Sequence, residues 1–223
     1  MAIDLVIFDC DGVLIDSEII SARMLVEALA VLGVQIDLAY VARHFLGRSY
    51  PTVMATIRKE FGLNLPQDFE DQYRSRLMAA FEDGLKIMPH VVDVLDAMTL
   101  PYCIATSSSP KRVQRSLEMV GLASKADGRL FTATMVANGK PAPDLFLLCA
   151  SRYQTDPAKC LVIEDSLNGV RAARAAGMPV WRFVGGSHLL GRELDEPEDA
   201  QPDRHFSSFA EFYAMDPDLR GRT

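Results

Sequence analysis

The chain has 223 residues, 49% of them apolar and 24% charged, an ordinary globular composition with room for one large domain or a core domain plus an insert. No uninterrupted apolar stretch reaches the roughly 18 residues that a membrane helix needs, and a formal charge of −7 without a basic run argues against nucleic acid or an anionic membrane as partner. The first residues, MAIDLVIFDCDG, carry acids where a secretory signal needs a basic start, and Cys10, Cys103, Cys149 and Cys160 lack metal-cluster spacing, so a cytoplasmic protein with buried free thiols is expected.

The first element is the apolar run Leu5–Phe8, which ends at Asp9. A run so short and continuous predicts a strand buried on both faces. Asp9 and Asp11 then point to the same side of an extended chain, with no cation near them in sequence. Two carboxylates that close are unfavourable unless a proton or a cation holds them together. A hard divalent metal bound through oxygen does so, and one acid can then attack while the other handles protons. Gly12 lets the chain turn at once. From Ser17 to Phe81 the spacing becomes helical, as in Met24, Leu25, Ala28, Leu29 and Leu32, with breaks at Gly33, Pro51 and Gly62–Pro66. Residues 16–84 are therefore expected to form an inserted helical cap over the strand ends, leaving 1–15 and 85–223 as the core. Arg74 and Arg76 fall on a helix of that insert and are expected to face solvent.

Beyond the insert, a helical pattern over Pro89–Thr99 has His90 at its start, and the run Tyr102–Ala105 ends at Thr106. Ser107, Ser108 and Ser109 precede Pro110, the favoured opening of a helix, here Pro110–Val120. The free N–H groups of such a start suit phosphate, and Thr106 adds a hydroxyl. In Asn138–Asp144, Pro141 and Pro143 stiffen the backbone after Lys140, and Asp144 is placed to cap the helix Asp144–Tyr153. A compact cation on a fixed mount suits a transferring phosphoryl group. The run Leu161–Ile163 ends at Glu164 and Asp165, either of which could complete a metal shell or cap the helix Leu167–Ala176. In Pro179–Val184, Trp181 and Phe183 alternate toward the core. A polar surface loop, Gly185–Arg204, and a short helix near Phe209–Met215 close the chain. His44, His90, His188 and His205 share no ligand spacing and read as ordinary structural residues.

Alternating strands and helices predict an α/β fold, a parallel sheet with helices on both faces. Ligands of such sheets sit beyond the carboxyl ends of the strands, where all four polar clusters fall. A nucleophile, a proton carrier, an anion-binding helix start, a cation and metal ligands are what phosphoryl transfer needs.

In order, Asp9-x-Asp11-Gly12, Thr106, Lys140-Pro141-x-Pro143-Asp144, and Glu164-Asp165-Ser166 with Gly169 resemble the motifs of the haloacid dehalogenase-like hydrolase superfamily across nearly the whole chain. The helical insert looks like the cap of its β-phosphoglucomutase and sugar-phosphate phosphatase subgroup. Asp9–Gly12 with Asp16-Ser17-Glu18 are similar to 6-phosphogluconate phosphatase-like proteins. The resemblance implies a Rossmann-like core and a magnesium-dependent phosphatase for a small phosphate monoester, a sugar phosphate or sugar-acid phosphate. By the same resemblance, Asp9 forms an aspartyl-phosphate, and Asp11 protonates the leaving alcohol and then activates water. Thr106, Ser107 and Lys140 hold phosphoryl oxygens, and Gly47, Arg48, Ser49 and Tyr50 form the cap's substrate loop. Asp9, Asp165, the main-chain carbonyl of Asp11 and Glu164 contact Mg2+. Asp11 argues against a dehalogenase, which needs no second acid. Ser21 stands where the mutases carry a histidine, and Arg48 is out of register with their cap arginine, so a phosphatase is expected before a phosphomutase. A binding protein without activity is disfavoured by the intact acids. A monomer is the default expectation.

Overall fold

The computed structural model describes residues 2–192, Leu194 and residues 196–220. A six-stranded sheet forms the centre, with β1 (Leu5–Phe8), β2 (Tyr102–Thr106), β3 (Leu130–Thr132), β4 (Cys160–Glu164), β5 (Val180–Phe183) and β6 (Arg204–Phe206) in the order β3-β2-β1-β4-β5-β6. Every pairing is parallel. The period-two alternation of a strand divides its side chains between two cores. Val6, Phe8, Tyr102, Ile104, Leu161, Ile163, Trp181 and Phe183 face one, and Leu5, Ile7, Cys103, Ala105, Cys160, Val162 and Val180 face the other. All four cysteines are buried free thiols. Among the described residues no helix is long and apolar enough to cross a membrane.

The helices expected around the sheet are α5 (Val91–Ala97), α6 (Pro110–Met119), α8 (Asp144–Arg152) and α9 (Leu167–Ala175), joined by a short α7 (Ala123–Ala126) and α10 (Phe212–Met215). His90 opens α5 in a left-handed conformation. Between β1 and α5 stand α1 (Glu18–Val31), α2 (Leu38–His44), α3 (Tyr50–Phe61) and α4 (Phe69–Gly84), which bury a separate apolar cluster around Leu29, Ile57, Leu77 and Phe81. Pro51 does not break a helix; it lies in the first turn of α3, where its missing N–H costs nothing. The two crossings between the four helices and the sheet run side by side, joined by Asp16 N–H to the Lys86 carbonyl and Met88 N–H to the Leu14 carbonyl, both hydrogen bonds closing an Ile15–Ile87 bridge.

The edge strands β3 and β6 depart from expectation. Three residues long, β6 exposes Arg204 and His205, and β3 leaves Leu130 half-buried. An edge strand with one open face has no continuous apolar run to announce it. The Gly185–Arg204 stretch is largely irregular, with a single turn of 3-10 helix at Glu198–Ala200; Glu193 and Asp195 of that stretch lie outside the described residues. The Phe209–Met215 helix forms as a 3-10 turn running into α10, and Phe206, Phe209 and Phe212 pack with Trp181 and Phe183.

Candidate active site

The chain crosses over from β1 to β2 on one side and reaches β4 on the other, so the crevice beyond β1 is the topological switch point at which α/β sheets bind ligands. Asp9 follows the last residue of β1 and its N–H donates to the Ile163 carbonyl of β4. Lys140 reaches into the same point from the loop before α8. Its Nζ donates to Asp9 Oδ1 at 2.6 Å, to Glu164 Oε1 at 2.7 Å and to the Ala105 carbonyl at 3.1 Å. The ammonium also lies over the Phe146 ring. Lys140 is 5% exposed, and the paired carboxylates hold its pKa above the usual lysine value against the effect of burial.

Ligand atoms of Asp9, Glu164 and Asp165 lie within 4.8 Å of one another. Burial drives the Asp9 carboxyl well above the ordinary range; Lys140 offsets part of this and the neighbouring carboxylates add to it. Asp165 is raised in the same way, by burial and by Glu164. One lysine cannot neutralise three buried acids, and all the donors are oxygen, so the cluster fits a hard divalent cation. Asp165 Oδ2 faces His188 Nε2 at 2.8 Å without an aligned hydrogen bond. Glu164 is more committed: Oε1 accepts from Lys140, and Oε2 accepts from the Ser166 N–H at 2.7 Å and hydroxyl at 2.9 Å. Asp9 and Asp165 are therefore the side chains best placed to ligate. Neither acid caps α9. Ser166 does, accepting from the Gly169 N–H.

Asp11 is brought beside this cluster with its carboxylate facing other partners. Oδ1 accepts from Ser17 Oγ at 2.6 Å and Arg112 at 2.9 Å; Oδ2 accepts from Ser108 Oγ at 2.6 Å and Thr106 Oγ1 at 3.2 Å. Burial alone would raise Asp11, but the guanidinium and the hydroxyls hold it below the usual carboxylate range. Thr106 thus serves Asp11 while its oxygen accepts from the Ser108 N–H. Ser107 turns its hydroxyl to the Gly47 carbonyl at 3.1 Å. Ser109 precedes α6 without a side-chain cap bond. Asp144 is the first residue of α8, not its cap, and its carboxylate ties back to the Asn138 N–H and side-chain amide, closing the turn that carries Lys140.

Asp9, Asp11, Thr106, Ser107 and Lys140 form the floor of a cavity of about 890 Å3 whose far wall includes Gly47, Arg48, Ser49, Tyr50 and Arg74. Arg74 and Arg76 are both exposed, as expected; Arg74 lies over the Tyr50 ring and pairs with Glu70, and Arg76 lies beside Glu27. The Leu46–Gly47 segment is pinned to the floor: Asn168 Nδ2 donates to the Leu46 carbonyl at 2.8 Å, beside the Ser107 bond. Gly47 has φ +73°, and an added Cβ would lie 2.6 Å from Ser166 Cβ. Ser166 cannot yield without losing the α9 cap. Gly47→Ala is expected to lower kcat/KM by about 100-fold, the scale of a misplaced group near the chemistry, and to lower Tm by about 2–4 °C for roughly 1 kcal/mol of left-handed strain. Steady-state kinetics and thermal unfolding check both.

Three residues at the site escaped sequence reasoning. Arg112, in the first turn of α6, spans Asp11 and Ser21 Oγ and packs over Phe81. Its signal was only a cation just inside a helix start. Glu18, partly buried in the cavity wall, is raised to about 7 by burial and by Asp11 and Asp165; its position in Asp16-Ser17-Glu18 was the available sign. His188 is buried with Nε2 2.8 Å from Asp165 Oδ2, and burial pushes its pKa down. Nothing in its spacing pointed there.

A parallel α/β core with an inserted helical unit and this order of acids and lysine defines a hydrolase of the haloacid dehalogenase class. The family model described as haloacid dehalogenase-like hydrolase matches residues 3–177, and the chain belongs to that family. It is similar to 6-phosphogluconate phosphatase of Escherichia coli, with 27% identity over 83% of this chain and 85% of that protein. It is also similar to the Escherichia coli fructose-1-phosphate phosphatase YqaB, with 30% identity over 77% of this chain and 92% of that protein. A haloacid dehalogenase family hydrolase from Deinococcus radiodurans, solved with bound phosphate and sodium, superposes with a TM-score of 0.74 at 30% identity, covering 98% and 96% of the two chains.

Proposed function

We propose that the protein is a magnesium-dependent phosphatase that hydrolyses a sugar phosphate or sugar-acid phosphate through an aspartyl-phosphate on Asp9. The observation that carries this is the Asp9 carboxylate at the switch point, 2.6 Å from the buried Lys140 ammonium and beside Asp165. In the first step an Asp9 oxygen attacks phosphorus, the ester P–O bond breaks, and Asp11 gives its proton to the leaving alcohol. In the second, Asp11 takes a proton from water as that water attacks phosphorus, and the Asp9–phosphorus bond breaks to release phosphate. Lys140 and the N–H groups at the start of α6 neutralise the equatorial oxygens. Asp9 and Asp165, with the Asp11 carbonyl, would hold Mg2+, which supplies charge neutralisation at the phosphoryl group. Glu164 holds Lys140 in place.

Asp11 is arranged for the second step, since four donors favour its ionised form. Acting first as an acid requires it to leave Arg112 and take a proton. Residues 16–84 serve as a specificity cap whose loop, Gly47–Tyr50, closes over the bound sugar. A phosphatase is favoured over a mutase because the Ser21 hydroxyl is already engaged, donating to the Ser17 carbonyl and accepting from Arg112. A phosphate-release screen over sugar phosphates, sugar-acid phosphates and nucleotides, with and without magnesium, tests the proposal. Release from sugar and sugar-acid phosphates only with magnesium is expected; no release from any monoester would overturn it.

A further inference from the structure

We infer that His188 is a positioning residue for the cation site: it supplies the donor that orients Asp165. The inference rests on the magnesium site proposed above, and its evidence lies in the loop after β5. His188 is 4% exposed, yet both ring nitrogens lack a hydrogen-bond partner, as does Asp165 Oδ2. Nε2 stands 2.8 Å from that oxygen without the alignment of a hydrogen bond. Unpaired polar atoms at this depth are costly and call for a function.

The surroundings hold the ring against Asp165. Ser187 donates both its N–H and its hydroxyl to Asp16 Oδ1, at 3.1 and 2.8 Å, which clips this loop to the segment that follows Asp11 and Gly12. A Cβ on Gly186 would lie 2.6 Å from His188 Cε1. One on Gly12 would lie 2.2 Å from Asp165 Oδ2 and 3.0 Å from His188 Cε1. Two glycines therefore make the space in which imidazole and carboxylate meet. A carboxylate that ligates a cation through one oxygen needs a donor on the other to fix its orientation. Imidazole Nε2–H is the group in reach of Oδ2. The geometry assigns Asp165 one oxygen for the cation and one for His188.

The test is calorimetric titration of magnesium chloride into the full chain without substrate. His188→Phe keeps the ring and removes its donors; it is expected to weaken magnesium binding about 10- to 100-fold. His188→Asn, which returns an N–H at similar depth, is expected to lose less. At saturating magnesium, inorganic phosphate should bind the Phe variant as it binds the wild type, and kcat should recover. That recovery separates positioning from general damage. Should the Phe variant not fold, the smaller His188→Leu gives the same readout. Wild-type magnesium affinity in the Phe or Leu variant, or equal losses in the Phe and Asn variants, would overturn the inference while leaving the phosphatase reading intact. A wild type that binds no magnesium would overturn both.

Discussion

Asp9→Asn is expected to abolish phosphate release, by at least about 10,000-fold on the scale of lost nucleophiles, while leaving the metal-free protein as stable as the wild type or more so. The amide cannot attack phosphorus, yet it keeps an oxygen for Lys140. It also removes one of three clustered buried carboxylates, two of which share a single lysine. The Asp9 pKa is raised in the folded chain. Its contribution to stability is therefore fully present below the pKa of the unfolded chain and is lost as pH rises through the folded value. Metal-free wild type should lose stability as pH climbs from the ordinary carboxylate range toward neutrality, and the Asn variant should lose less. Urea unfolding in chelator at pH 5 and pH 8, beside phosphate-release assays, reads both effects. An Asn variant with near wild-type turnover would mean that another group attacks; one much less stable than the wild type at pH 8 would mean that the acid cluster is not under charge strain.

The second large effect is expected at Lys140. Lys140→Met leaves Asp9 and Glu164 buried without their common cation. Breaking a buried pair by removing one partner typically costs about 3–5 kcal/mol, and loss of a preorganised charge at the phosphoryl group lowers kcat by about 100- to 1,000-fold. Magnesium distinguishes the two roles. Added metal should restore much of the lost stability, because it supplies positive charge to the same carboxylates, but it should not restore kcat, because it would not replace the ammonium that we propose holds the phosphoryl oxygens. Chemical denaturation and kinetics, each with and without magnesium, decide the matter. A variant as stable as the wild type in chelator would show that Lys140 is not what balances the cluster.

Much of the fold was legible because the central strands are apolar on both faces. Leu5–Phe8, Tyr102–Thr106, Cys160–Glu164 and Val180–Phe183 are buried throughout, and such runs show in one dimension. The edge strands were not legible: Arg204 and His205 need no apolar partner on an open face, and pairing with β5 alone makes them a strand. The histidines show the same limit. His188 reaches Asp165 only because β5 lies beside β4 and two glycines let the loops meet, a relation that leaves no periodic trace.

By itself, the sequence determined the chemistry available: acids at the ends of Leu5–Phe8 and Leu161–Ile163, a lysine ahead of two prolines, and a helix start after Thr106. It did so because each group is tied to a local backbone event, the end of a strand or the opening of a helix, that residue types dictate. The tertiary structure alone decided how that chemistry is shared. It gave Asp9 and Glu164 one lysine, turned Asp11 toward Arg112 and two serines, set Asp165 against His188, and pinned Gly47 over the floor. Those allotments depend on distances between segments far apart in the chain. Burial makes them consequential, since a charge removed from water must find its partner through space.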